Sequence, residues 1–132
     1  VFISHSWAYG DAYEKIISML KKAPRFTFQD YSVPKDDPIH NAPNVNALYK
    51  AITRQISPCN VVIIMAGKYA TYSKWIKREI EIAKKGFSTP KPVLAIRPWG
   101  NAQVSSIVTK NADLLVGWNT ASIVKAIRQL SR

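Results

Sequence analysis

Asn60-Val61-Val62-Ile63-Ile64-Met65-Ala66 is the stretch that decides the fold. From Val61 to Ala66 it is uninterrupted apolar sequence, rich in β-branched residues, and far too short to span a bilayer. A strand with one wet face would alternate apolar and polar residues. A strand buried on both faces reads as this run does, and such strands lie at the centre of parallel sheets.

On either side of this strand, helical and strand patterns alternate. Upstream, Leu48, Ile52 and Ile56 share one face of a helix that starts at Asn44 or Asn46. Before it, Asp30 to Pro43 forms a polar loop holding Pro34 and Pro38, long for a compact domain and of the kind that often serves function. Residues 26–29 read as a short second strand. Tyr13, Ile16, Ile17 and Leu20 recur at helical spacing between a cap at Asp11 and a stop at Pro24. Residues 1–4 read as the first strand.

Downstream, a loop over residues 67–72 leads to a helix from Ser73 to about Lys85, closed by Gly86. Residues 92–96 form a fourth strand, Pro98-Trp99-Gly100-Asn101 a turn, residues 104–110 a short helix and residues 113–116 a fifth strand. Thr120 caps a last helix with Ile123, Val124, Ile127 and Leu130 on one face. Such alternation predicts an α/β domain, a parallel sheet with helices on both faces. The flavodoxin-like three-layer arrangement, with five strands in the order 2-1-3-4-5, is the expected form. Its ligand crevice lies beyond the carboxyl ends of strands one and three, where the strand order reverses. That places the loop His5 to Gly10 beside the loop Gly67 to Ser73.

Composition sets further bounds. A chain of 132 residues, 47% hydrophobic, suits a single domain over residues 1–132 with its own core, and is neither disordered nor fibrous. Cys59 is the only cysteine, so no internal disulfide forms, and it reads as a small buried hydrophobe. His5 and His40 lie far apart, and no ligand pair has helical spacing, so no metal site is expected. No signal peptide is visible, and with a single cysteine the cytoplasm is the default expectation. The net charge of +11 suits either a plain solvated surface or one that attracts nucleic acid, anionic lipid or a small anion. No arginine-rich run or nucleic-acid motif accompanies it.

Several chemistries are absent from the sequence. No Gly-x-Gly-x-x-Gly follows the first strand, and there is no Walker loop. The central strand ends Met65-Ala66-Gly67, without the aspartate of a phospho-receiver domain. The first loop lacks a flavodoxin's Ser/Thr-rich phosphate cradle, and no Ser/His/Asp or Cys/His set is apparent.

The sharpest signal is a contrast between two glutamates. At about 100° per residue, Glu79 shares its helix face with Tyr72, Trp75, Ile76, Ile82 and Ala83, none of them a cation. Glu81 is surrounded by Lys74, Lys77, Arg78, Lys84 and Lys85. Glu81 therefore reads as a surface carboxylate in i,i+4 pairs with Lys77 and Lys85. Glu79 sits where an uncompensated charge is costly. It reads either as a functional acid beside the crevice or as a boundary residue whose carboxylate reaches water or caps a loop.

These residues resemble a known family. Val1-Phe2-Ile3-Ser4-His5-Ser6 is similar to the first box of TIR domains, and Ser73-Lys74-Trp75-Ile76-Lys77-Arg78-Glu79-Ile80 resembles the Ser-x-Trp-x-x-x-Glu helix of TIR enzymes that cleave NAD+. Lys91-Pro92-Val93-Leu94-Ala95-Ile96-Arg97-Pro98-Trp99-Gly100 and Gly117-Trp118-Asn119 look like the bacterial TIR-like branch of Thoeris anti-phage systems. After strand two, Asp30-Tyr31-Ser32-Val33-Pro34 is followed by a Pro-rich, Asp-rich stretch unlike the animal adaptor loop.

The resemblance implies an NAD+ glycohydrolase or cyclase with Glu79 catalytic. It implies substrate contacts from Ser6, Trp7, Trp75, Asp30, Ser32 and His5, each of which also has a plainer reading in packing or local turns. NAD+ enters as substrate, with no cofactor and no metal. The product would be an ADP-ribose-type signal nucleotide, linear or cyclic, acting on a separate effector protein. Self-association with TIR-like protomers is expected; membrane and nucleic-acid partners are not. Three alternatives stand beside this reading: a non-enzymatic TIR-like assembly module, a nucleoside deoxyribosyltransferase-like enzyme, and a basic nucleic-acid-binding domain.

Overall fold

The computed structural model describes residues 1–3, 12–29, 45–66, 74–97 and 106–131. Among them are strands β1 (Phe2–Ile3), β2 (Val62–Met65), β3 (Val93–Ile96) and β4 (Leu114–Val116), and helices α1 (Ala12–Lys22), α2 (Val45–Ile56), α3 (Lys74–Lys85), α4 (Ser106–Asn111) and α5 (Thr120–Leu130). The strands form one parallel sheet in the order β1-β2-β3-β4. Phe2 pairs with Val62, Val62 with Val93, and Leu94 with Leu114. The apolar run is thus an inner strand, and Val61 to Ala66 are all buried.

Alternate residues of the sheet face two separate cores. Phe2, Val62, Ile64, Val93 and Ala95 pack with Ile52 and Ile56 of α2, Ile76, Ile80 and Ala83 of α3, and Val108 of α4. Ile3, Ile63, Met65, Leu94 and Ile96 pack with Ile16 and Leu20 of α1 and Ile123 and Ile127 of α5. This is why the run had to be apolar at every position: odd and even residues each meet a helical layer. Each fully buried isoleucine contributes roughly 1.5–3 kcal/mol of transfer free energy.

The expected fifth ladder is not present among the described residues. Residues 26–29 form no strand, although Phe26 and Phe28 are half-buried and Thr27 and Gln29 exposed, as on a sheet edge. One hydrogen bond, from the Val1 nitrogen to the Gln29 carbonyl at 2.7 Å, ties this segment to the start of β1. Pro24 and the left-handed Arg25 (φ 56°) turn the chain just before it.

Two helix ends differ in detail from expectation. The cap of α5 is Asn119 rather than Thr120: the Asn119 side chain accepts from the Ser122 amide at 3.0 Å, the reach an N-cap needs to satisfy the third helical N–H. Gly86 follows α3 as expected, but through close approach: a Cβ there would stand 2.6 Å from the Ile82 carbonyl oxygen.

Lys91 closes the end of α2. Its ammonium donates to the Ser57 and Cys59 carbonyls at 2.9 and 3.0 Å and lies 5.0 Å from the centre of the Phe87 ring. We expect Lys91→Met to keep the stem packing but leave those carbonyls to water, at a cost of about 1 kcal/mol. Thermal melting should show a fall of a few degrees; an unchanged midpoint would mean that this contact contributes nothing.

Candidate active site

The stretch that forms α3, Lys74-Trp75-Ile76-Lys77-Arg78-Glu79-Ile80-Glu81-Ile82-Ala83-Lys84-Lys85, contains neither glycine nor proline and is rich in good helix formers. Its apolar stripe, Ile76, Ile80, Ile82 and Ala83, is buried against the sheet layer. Glu79 goes in with that stripe. It is 0% exposed and the one buried polar or charged side chain among the described residues. Glu81, two residues on, is exposed, as are Lys77 and Lys85. The two carboxylates of one helix therefore occupy opposite environments.

Two polar ties hold the part of α3 that follows Glu79. The Tyr49 hydroxyl of α2 donates to Glu81 Oε2 at 2.5 Å. The Glu81 carboxylate thereby holds the Tyr49 hydroxyl above its ordinary pKa, aided by burial and by its charge, while Arg78 opposes the shift. At the helix end, the Lys84 ammonium pairs with Asp113 Oδ2. That same oxygen accepts from the Val93 amide at 2.7 Å, and the Asp113 amide donates to the Val93 carbonyl at 2.8 Å. Asp113 thus joins α3, β3 and the entry to β4. Partial burial pushes its carboxyl up, but the Lys84 hydrogen bond, the Val93 amide and the Lys84 charge outweigh this and hold it below the ordinary value.

These ties correct two expectations. Glu81 takes its hydrogen bond from Tyr49 on another helix, and among the described residues it makes no ion pair with Lys77 or Lys85. Lys84, one of the cations expected around Glu81, is half-buried and ion-paired with Asp113 instead. Sequence reasoning passed over Tyr49 altogether and read Asp113 as a strand residue only.

Of the expected site residues, Glu79 is described in full. Trp75 lies in the first turn of α3, but its side chain is outside the described residues, as are Ser6, Trp7, His5, Asp30 and Ser32. By connectivity, His5, Ser6 and Trp7 follow β1 in the chain, and α3 is the helix that follows β2. Trp99 is likewise outside, while Trp118 is half-buried against the α1–α5 layer, in keeping with a packing role.

A groove of about 840 Å³ opens elsewhere, between the end of α1 and α5. It lies against the helical layer on the other side of the sheet from Glu79. Among the described residues its lining has cations, small residues and Val124 but no carboxylate or histidine.

A family model for the TIR-like domain of Thoeris protein ThsB matches residues 2–103. No curated protein matches the chain. The matched span runs from β1 through β3 and includes Glu79; α4, β4, α5 and Gly117-Trp118-Asn119 lie beyond it. Among the described residues, no helix is long and apolar enough to cross a membrane. A parallel α/β sheet with a glutamate buried on the helix after its inner strand, within a match that spans most of the sequence, has one consequence: the chain belongs to the TIR-like domain family of Thoeris protein ThsB.

Proposed function

We propose that this domain cleaves the nicotinamide–ribose bond of NAD+, with Glu79 as the catalytic carboxylate. Family membership supports a TIR-like role in anti-phage defence; the reaction is the step beyond it. The observation that carries it is the complete burial of Glu79 on the helix that follows β2. A carboxylate is costly to bury, and a sequence that keeps one on an apolar stripe obtains a strong electrostatic group in a low-dielectric setting.

Cleavage proceeds through a transition state resembling an oxocarbenium ion, as in glycoside hydrolysis. The C1′–N bond breaks, and its electron pair leaves with nicotinamide, which departs neutral because the ring nitrogen was cationic. No general acid is therefore needed, and one glutamate suffices where glycosidases use two. The Glu79 carboxylate stabilises the developing positive charge on the ribose. Water, or a nucleophilic atom of the same nucleotide or of another acceptor, then attacks C1′ and releases its proton. The product is ADP-ribose or a cyclic or conjugated form of it, a signal for a separate effector. Ser6, Trp7, His5, Asp30, Ser32 and Trp75 are the proposed substrate contacts, and residues 1–132 act as one domain on cytoplasmic NAD+ with no cofactor.

A carboxylate with 0% exposure must be uncovered before substrate touches it. Turnover should therefore rise with whatever opens the site, assembly of protomers included. The test is incubation with NAD+ over a range of protein concentrations, with products read by mass spectrometry. Nicotinamide and an ADP-ribose-type product are expected. Cleavage of deoxynucleosides in place of NAD+ would transfer the site to the deoxyribosyltransferase reading, and assembly without cleavage of either would leave an assembly module.

Glu81→Gln serves as the internal control. Glu81 is exposed and bonded to Tyr49, and glutamine still accepts that hydrogen bond. We expect turnover within about twofold of the parent and a stability loss below about 1 kcal/mol. A large loss of activity from this substitution would overturn the assignment of roles to the two glutamates.

A further inference from the structure

We propose that the groove between α5 and the turn that follows α1 receives an acidic amphipathic helix of a partner protein. Thr120, Ala121, Val124, Lys125, Arg128 and Gln129 line it from α5, at offsets of 0, 1, 4, 5, 8 and 9. That is one stripe along the whole helix, about 13 Å at 1.5 Å per residue. Ala23 and Pro24, just past α1, form the facing wall. Small residues on both walls let a further helix approach closely, and Val124 supplies an apolar floor; this is the shape of a helix-in-groove site.

The charge selects the occupant. Lys125 and Arg128 stand in the groove, and Lys21, Lys22 and Arg25 are exposed beside it. Among the described residues no carboxylate lines the groove, α5 contains none, and the one on α1, Glu14, is at its opposite end. Arg128 is held in place: it donates to the Arg25 carbonyl at 2.7 Å and lies over the Phe26 ring, 5.5 Å from its centre. A fixed guanidinium loses little freedom on pairing with a carboxylate. A second copy of this chain would set the same cations against each other, so an acidic helix is the better complement.

The probe is a fluorescein-labelled helical peptide of about four turns, with leucines along one face and glutamates along the other. Its counterpart has lysine at every glutamate position. Binding to the full chain is read by anisotropy, and its place by amide shifts in NMR spectra. Ala121→Trp fills the groove and Lys125→Glu reverses its rim; both positions are exposed, so the fold should survive, and spectral dispersion checks this. Arg128 is left intact because it also anchors the Arg25 corner.

We expect the acidic peptide to bind with a dissociation constant on the order of 100 μM at low salt, with shifts on α1 and α5. Each substitution should weaken it at least tenfold, and the lysine counterpart should not bind. Equal binding of both peptides, or binding untouched by Ala121→Trp and Lys125→Glu, would overturn the proposal. So would shifts of the same amides by phosphatidylserine vesicles in the absence of peptide binding, or self-association of the chain that Ala121→Trp abolishes.

Discussion

Glu79→Gln is expected to abolish nicotinamide release while leaving the protein folded. The substitution keeps the size and shape of the side chain and removes its charge. Glu79 is wholly buried on the face of its helix that carries Ile76, Ile80, Ile82 and Ala83, and the amide matches the carboxyl group in size, so the substitution adds no bulk. A few degrees in melting temperature is the largest structural change expected. The effect on catalysis is of another order. On the proposed mechanism the buried carboxylate opposes the positive charge that develops on the ribose, and loss of one such preorganised group costs about a thousandfold or more in turnover. Binding of NAD+ should change little, because the loss belongs to the transition state and not to the bound substrate. Nicotinamide release, measured beside Glu81→Gln at equal protein concentration, distinguishes the roles. Turnover retained in a folded Glu79→Gln protein would remove Glu79 from the mechanism, and equal losses in both variants would mean that the two faces of α3 were read the wrong way round.

Those faces were legible in the sequence because they depend on one local period. With 3.6 residues per turn, Ile76, Glu79, Ile80 and Ala83 fall together, and they are buried together. The inner strand was legible for a similar reason, since Val61 to Ala66 admits no wet face. What could not be read was any pairing across elements. The arithmetic of i and i+4 gives Glu81 the neighbours Lys77 and Lys85, yet its hydrogen bond comes from Tyr49, 32 residues away in sequence. Lys84 looked like one more member of a basic row, yet the chain brings Asp113 to it. In both cases a local rule offered a weak exposed pair and the fold supplied another partner. Residues 26–29 failed as a strand on the same ground. Phe26 and Phe28 are half-buried and Thr27 and Gln29 exposed, as alternation predicts, but the tie to the start of β1 is one hydrogen bond, from the Val1 nitrogen to the Gln29 carbonyl.

Lys84→Glu, by this logic, should destabilise the protein, and Lys77→Glu should not. Lys77 is exposed, so its reversal should shift stability by less than about 0.5 kcal/mol and leave the Michaelis constant for NAD+ within a few-fold at physiological salt. Lys84 is paired with Asp113, with side chains 23% and 42% exposed. A pair so placed contributes about 1 kcal/mol. A carboxylate at position 84 adds repulsion, for a total of about 2 kcal/mol, or roughly 5–10 °C in melting temperature for a chain of this size. The deficit should also depend on pH. Asp113 lies below its ordinary value, because the Lys84 hydrogen bond, the Val93 amide and the Lys84 charge together exceed the effect of burial. A carboxyl with a depressed folded-state pKa contributes stability above the unfolded value, about 3.9, and loses it as pH falls toward the folded value. Lys84→Glu removes both Lys84 contributions, so the parent's advantage should be greatest near pH 7 and narrow as pH falls below about 4. Melting curves of parent, Lys77→Glu and Lys84→Glu at pH 7 and pH 3 decide the matter. A deficit of the same size at both values would assign it to packing of the Lys84 stem, and no deficit at either would mean that Asp113 holds β3 and β4 together through Val93 alone.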